Sequence, residues 1–206
     1  MEFIKLSEDL MRAQSAAKRI LSIGGVVVFP TDTVYGVFSL PDKEIALEKI
    51  YSLKMRPRSM PLPLLISDVG QLPLVSSFES QNLSSLVQSF WPGPLTVVLP
   101  NALSAMSLVS SDEGTIAVRC PNNDFVRGVA KDLGPLAATS ANLHGEPTLE
   151  NAIEIVDMLP DVDLVVDGGT LKGGLASTLV DLSQPDPVIL REGPVTSEMV
   201  FKSLEH

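Results

Sequence analysis

The chain has 206 residues, enough for about one domain of typical size and for a core that needs no disulfide or metal to hold it. It is 45% hydrophobic and 19% charged, which excludes a disordered chain, and no apolar run approaches the roughly 18 residues of a membrane helix. Its 15 cationic and 25 anionic residues leave a net charge of −10, which argues against binding driven by nucleic-acid phosphates, since that needs a basic face.

Residues 1–10 carry Glu2, Glu8 and Asp9 and lack the basic start and apolar stretch of a secretory signal. Residues 7–22 read as a helix, with Leu10, Gln14, Ala17 and Leu21 on one stripe and Gly24-Gly25 ending it. Val26–Phe29 is all apolar and rich in β-branched side chains, as in a strand covered on both faces. Extended structure resumes over 34–38. A helix follows over 42–53 and a strand over 62–67. Residues 82–90 place Leu83, Leu86, Val87 and Phe90 at helical spacing.

Further along, 95–99 and 115–120 read as strands. Residues 123–133 form a helix with Gly134 as its stop, and 136–138 a short strand. A helix is expected over 149–158, strands over 162–166, 178–182 and 188–190, and a last helix over 196–204. Some strands follow one another directly while others alternate with helices, so the pattern predicts an α/β fold with a twisted mixed sheet flanked by helices.

Five segments hold residues suited to chemistry. Pro30-Thr31-Asp32-Thr33-Val34-Tyr35-Gly36 follows a buried strand, where α/β folds place ligands. The same residues would also make an ordinary side-chain-capped turn. Lys54, Arg56 and Arg58 put three of the 15 cations within five residues. They suit either a clamp for a polyphosphate or cations stabilised at a helix C-terminus. Arg119 lies in an apolar strand, where burial requires a carboxylate partner from protein or ligand. Thr115 shares its face, and Cys120, pointing the other way, reads as an inert core thiol.

Thr139-Ser140-Ala141-Asn142 supplies small polar groups after a strand, suited to an anion. Thr148 beyond it suits that site or the N-cap of the next helix. His144 reads as a solvent-facing loop residue. Ser177-Thr178 precedes a strand, and Arg191 follows the last strand, where a lone arginine also fits a simple solvated charge. HExxH, CxxC, GxSxG, GxGxxG and GxxxxGK[ST] are all absent, which removes zinc-protease, dithiol, esterase, Rossmann and P-loop readings. One cysteine permits no internal disulfide or zinc cluster. A reducing, cytoplasmic setting is therefore expected.

In order, seven motifs resemble the YrdC-like family of threonylcarbamoyl-AMP synthases over roughly residues 15–195. They are Gly24-Gly25 through Tyr35-Gly36, Lys54-x-Arg56-Pro57, Phe90-Trp91-Pro92-Gly93-Pro94-Leu95-Thr96, Ala117-Val118-Arg119, Thr139-Ser140-Ala141-Asn142 with Gly145 and Pro147, Ser177-Thr178-x-x-Asp181, and Leu190-Arg191-x-Gly193. The resemblance is to the short form, one domain over 1–206 with a concave cavity.

It implies formation of L-threonylcarbamoyladenylate and pyrophosphate from L-threonine, bicarbonate or CO2, and ATP, with Mg2+ expected alongside ATP and no protein-held metal. The product would pass to a downstream tRNA threonylcarbamoyl transferase for N6-threonylcarbamoyladenosine in ANN-decoding tRNAs; direct tRNA contact would be weak. It also implies residue roles. Lys54 and Arg56 would contact ATP phosphates, as catalytic residues. Thr115, Ser140, Asn142, Thr148 and Arg191 would line the nucleotide site, and Thr33, Arg119 and Ser177 the threonine site. Met60, Leu65 and Ala176 depart from residues common in the family. The other readings are a non-catalytic RNA- or nucleotide-binding module and a paralogue with another substrate.

Overall fold

The computed structural model describes residues 1–171 and 174–205. Its elements run β1 (Glu2–Lys5), α1 (Leu10–Ser22), β2 (Val27–Pro30), β3 (Tyr35–Ser39), α2 (Glu44–Lys54), β4 (Leu64–Leu65), α3 (Gln81–Phe90), β5 (Leu95–Leu99), β6 (Ile116–Arg119), α4 (Asp124–Leu133), β7 (Leu136–Ser140), α5 (Ala152–Met158), β8 (Leu164–Asp167), β9 (Thr178–Asp181), β10 (Val188–Arg191) and α6 (Ser197–Leu204). Short 3₁₀ turns cover Val69–Leu74 and Ser104–Met106. No helix among the described residues is long and apolar enough to cross a membrane.

The fold class is the expected one. Ten strands among the described residues form one mixed sheet in the order β1-β8-β2-β3-β7-β4-β6-β5-β9-β10. β1–β8, β2–β8, β4–β6 and β5–β9 pair in parallel, and the other neighbours antiparallel. Alternate residues of the central strands enter opposite cores, as the period of two requires. Val27, Phe29, Phe38 and Val166 pack with α1 and α4, whereas Val26, Val28, Val37 and Val165 pack with α2, α3 and α5. Phe29 stacks on Phe38 with ring centroids 3.8 Å apart, and Phe125 of α4 meets Phe29 edge-on at 5.2 Å.

Several boundaries move for physical reasons. β1 escapes the sequence pattern because it is an edge strand with Ile4 alone buried. α1 begins at Leu10, where the Asp9 carboxylate accepts the Arg12 N–H at 2.8 Å. The strand expected over 62–67 shrinks to Leu64–Leu65, because Pro61 and Pro63 have no N–H for a ladder. α5 begins at Ala152, and Asn151 is its N-cap, accepting the Glu154 N–H at 3.0 Å. The capping role open to Thr148 therefore falls to Asn151. β7 runs on through Thr139 and Ser140, which pair with Val37 and Gly36.

The sheet is strongly coiled. By strand direction, Pro30 at the end of β2 and Arg119 at the end of β6 would lie at opposite edges of a flat sheet with four strand steps between them. They nevertheless meet. Asn123, just past β6, donates to the Pro30 carbonyl at 3.3 Å, and Arg119 reaches the loop after β2. Right-handed twist accumulating over many strands brings two corners of a sheet together in this way. The concave space between them is where the candidate site lies.

Candidate functional site

The loop between β2 and β3 is organised by Thr31. Its hydroxyl donates to the Val34 carbonyl at 2.7 Å and accepts the N–H groups of Thr33 and Val34 at 3.1 and 3.2 Å. Thr31 is thus the turn-forming residue, and the turn aims Asp32 and Thr33 at β6. There, Arg119 donates from Nε to the Gly93 carbonyl (2.9 Å), from Nη1 to the Thr33 hydroxyl (2.9 Å) and from Nη2 to Asp32 Oδ1 (2.5 Å). Of the two fates open to an arginine in an apolar strand, this one is burial: Arg119 is 5% exposed and ion-paired with Asp32. Cys120 points away, buried, with its thiol on the Ser67 carbonyl. Burial pushes that thiol up to about 11, which makes it inert at neutral pH.

Beside Arg119 opens a cavity of about 510 Å³, walled by Asp32, Thr33, Gly93, Asn122, Leu171 and Leu175 among others. Three of Arg119's acceptor residues, Asp32, Thr33 and Gly93, belong to that wall. Gly174 closes against it so tightly that a Cβ there would sit 1.9 Å from the Thr33 carbonyl oxygen.

Ser177 and Arg191 join the same region. The Ser177 hydroxyl pairs with that of Thr96 at 2.7 Å, and both residues are buried. Arg191 donates from Nε and Nη2 to the Ser177 carbonyl at 3.1 and 2.8 Å. Burial lowers the affinity of both Arg119 and Arg191 for their protons; Asp32 opposes this at Arg119, and the like charge of Arg191 adds to it. The two cations therefore sense each other across the site. Thr178 fixes the backbone behind them, its hydroxyl donating to Val195 O and accepting Gly193 N–H at 2.9 Å.

Lys54, Arg56 and Arg58 diverge, so the three-cation cluster of the sequence is not one clamp. Lys54, at the end of α2, is 2% exposed. Its ammonium donates to the carbonyls of Ser140 and Asn142 and, at 3.4 Å, to Asn142 Oδ1. Burial first, and the neighbouring Arg56 second, bring Lys54 down to about 8. Arg56 donates to the carbonyls of Met60 (3.1 Å) and Pro61 (3.0 Å). Met60 thus contributes through its backbone, which a change of side chain leaves intact. Leu65 packs in the core. Arg58 turns away to Glu48 and lies 5.8 Å over the Tyr51 ring.

The segment after β7 is locked around Asn142. Its Oδ1 accepts the Ser140 hydroxyl, and its Nδ2 donates to Leu143 O at 3.0 Å and to Glu146 O. His144 is exposed, as its sequence context suggests. Thr115 and Thr148 join neither hydrogen-bonded group among the described residues. Thr115 pairs with Ser111 at 2.7 Å, four residues and about 13 Å up the strand from Arg119. Thr148 is half-buried before α5.

Two groups of candidate side chains result: Thr33 in the cavity wall with Arg119, Ser177 and Arg191 nearby, and Lys54, Ser140 and Asn142 behind the loop. The Ala141 N–H to Tyr35 O bond at 2.8 Å joins them. Sequence reading had no role for Thr96, Gly93 or Gly174, and did not pair Asp32 with Arg119. The sequence signal for the first two was their place in the Phe90–Thr96 motif; nothing local marked Gly174.

Lys54, Arg56 and Arg191 share one property. Among the described residues none forms an ion pair, and each is held mainly by carbonyl oxygens, with Lys54 buried, Arg56 half-buried and Arg191 exposed. By contrast, Lys18, Lys49 and Arg119 each have a carboxylate. Cations lacking a partner anion suit an anionic ligand.

A sequence-family model described as telomere recombination (Sua5, YciO and YrdC) matches residues 19–193. The chain is 36% identical over 197 residues to the threonylcarbamoyl-AMP synthase of Bacillus subtilis, covering 94% of this chain and 56% of that protein. It is 31% identical over 198 residues to a putative threonylcarbamoyl-AMP synthase of Mycobacterium tuberculosis, covering 96% and 91%. The crystal structure of Pyrococcus abyssi Sua5 complexed with L-threonine superposes with a TM-score of 0.89 at 30% identity, over 99% of this chain and 60% of that one. The chain spans about half the length of the Bacillus and Pyrococcus relatives.

Proposed function

The chain belongs to the Sua5/YciO/YrdC family, and we propose that it is a threonylcarbamoyl-AMP synthase, one catalytic domain over 1–206. It joins L-threonine, bicarbonate or CO2, and ATP into L-threonylcarbamoyladenylate and releases pyrophosphate. The observation that carries the reading is a set of cations without carboxylate partners among the described residues, Lys54, Arg56 and Arg191, on the same fold as a cavity of about 510 Å³ whose wall holds Thr33 and Asp32. A cavity of that volume suits a small polar ligand.

The chemistry asks for little beyond positioning. The threonine amine adds to CO2 and loses a proton, giving a carbamate. A carbamate oxygen attacks the α-phosphorus of ATP and the bond to pyrophosphate breaks. Negative charge builds on phosphate oxygens, where fixed cations stabilise it. Arg119, Thr33 and Ser177 take the threonine. Lys54 and Arg56 take ATP phosphates. The Lys54 ammonium exchanges the carbonyls of Ser140 and Asn142 for phosphate oxygens, gaining the anion it lacks. Thr115, Ser140, Asn142, Thr148 and Arg191 line the nucleotide side. Mg2+ enters with ATP. A carbamate falls apart in water, so the step requires that water be kept from the bound intermediate.

The product would be consumed by a downstream tRNA threonylcarbamoyl transferase in the cytoplasm. Net −10 keeps direct tRNA contact weak. The test is pyrophosphate release by the purified chain with Mg-ATP. Release that requires both L-threonine and bicarbonate supports the reading. ATP binding without threonine-dependent release favours a binding module or another substrate.

A further inference from the structure

Asp32 is the one titratable side chain in the wall of the cavity among the described residues. Its two oxygens have separate partners. Oδ1 accepts from Arg119 Nη2 at 2.5 Å, and Oδ2 accepts the backbone N–H of Asn122 at 3.1 Å. The second bond ties Asp32 to the segment just beyond β6, so its carboxylate is fixed from two sides. Arg119 in turn gives Nε to Gly93 O and Nη1 to the Thr33 hydroxyl. A guanidinium has five N–H groups in one rigid plane. Three are used here, which leaves one N–H on each terminal nitrogen.

A planar group held at three nitrogens has no freedom to turn, so the direction of those two N–H groups is set. Asp32 is also the anion that balances Arg119. Without it, a 5%-exposed cation would keep two neutral acceptors and would face Arg191, whose like charge already opposes its own.

We propose that Asp32 is a positioning residue for amino-acid recognition: it fixes the Arg119 guanidinium so that the free N–H groups of Arg119 receive the carboxylate of the substrate. This rests on reading the cavity as the threonine site. Asp32 itself makes no bond to the substrate, and its effect passes wholly through Arg119.

The experiment uses the full chain with Asp32→Asn, Asp32→Glu, Arg119→Lys, and Asp32→Asn combined with Arg119→Lys. Asp32→Asn keeps size and removes charge. It is expected to raise the threonine KM by about tenfold or more and to leave the ATP KM within about twofold. Asp32→Glu recovers part of that loss. In the Arg119→Lys background, Asp32→Asn adds less than about twofold, because coupled residues are not additive. Equal rises in both KM values, or full additivity in the double variant, would overturn the proposal. A second readout needs no turnover. The Arg119 Nε–H resonance in a ¹⁵N NMR spectrum exchanges slowly with water in the wild type and at least about tenfold faster in Asp32→Asn. Unchanged exchange overturns the proposal. A wild type without threonine-dependent pyrophosphate release would instead remove the synthase reading, and the NMR comparison would still decide what Asp32 does.

Discussion

Arg191 holds the Ser177 carbonyl with two donors, Nε at 3.1 Å and Nη2 at 2.8 Å, while the Ser177 hydroxyl is spent on Thr96. One serine therefore couples the last strand of the sheet, β10, to β5 two strands away. Thr96→Val removes the hydroxyl that fixes Ser177 and leaves a buried polar group without its partner. The expected cost is about 1–3 kcal/mol, visible as a Tm lower by a few degrees, together with a raised KM for threonine. A raised ATP KM and an unchanged threonine KM would place Ser177 on the other substrate.

The Arg191 and Arg56 charges divide differently. Arg56 is held by carbonyls, and Arg191 by the Ser177 carbonyl and, at 3.5 Å, the Ser177 hydroxyl. Replacing either by Gln removes the charge and keeps some hydrogen-bonding ability. Each change is expected to raise the ATP KM about tenfold or more, as loss of a charge-assisted bond does. Titration with ATP at saturating threonine measures it.

Gly174→Ala tests the closure of the cavity. A Cβ at this position would meet the Thr33 carbonyl at 1.9 Å, far inside contact distance, and backbone has to move to relieve it. The expected result is loss of threonine affinity with the ATP KM little changed. Retained affinity for threonine would mean that the wall at Thr33 yields without cost.

Lys54 supplies a pH dependence. Its folded-state value is about 8 against an ordinary 10.5. Between those values the unfolded chain binds more protons than the folded one, so this group makes stability rise with pH across that window. Below about pH 8 the burial cost of the charge is present in full. Urea midpoints of the wild type and Lys54→Met, compared near pH 7.5 and pH 10, read the difference. The wild type gains on the variant at the higher pH; a flat or opposite trend contradicts the burial of a charged Lys54.

Much of this architecture was legible because the central strands and the amphipathic helices follow period. Val26–Phe29 reads correctly as doubly buried, since its neighbours feed two cores. What escaped the sequence is long-range. β1 has one buried residue and depends on β8 for its existence. Arg119 was marked as a charge needing a partner, yet the choice of Asp32 depends on a coiled sheet joining residues 87 positions apart. The Lys54-Arg56-Arg58 cluster looked like one clamp because three cations sit close in sequence. Met55 in the left-handed region, φ 49°, ends α2 between Lys54 and Arg56.

Asn151 and Thr148 separate stability from catalysis. Asn151→Ala removes the N-cap of α5 and is expected to cost about 1 kcal/mol without altering either KM. Thr148→Ala is expected to leave stability alone and to raise the ATP KM. The reverse pattern would return the capping role to Thr148.

In the proposed reaction a carbamate made from threonine attacks ATP. Mass analysis of the nucleotide product formed with ¹³C-bicarbonate, Mg-ATP and L-threonine tests it most directly. The expected product is threonylcarbamoyl-AMP carrying the labelled carbon, formed in step with pyrophosphate. Unlabelled threonyl-AMP, or release of pyrophosphate with no threonine in the product, would contradict it.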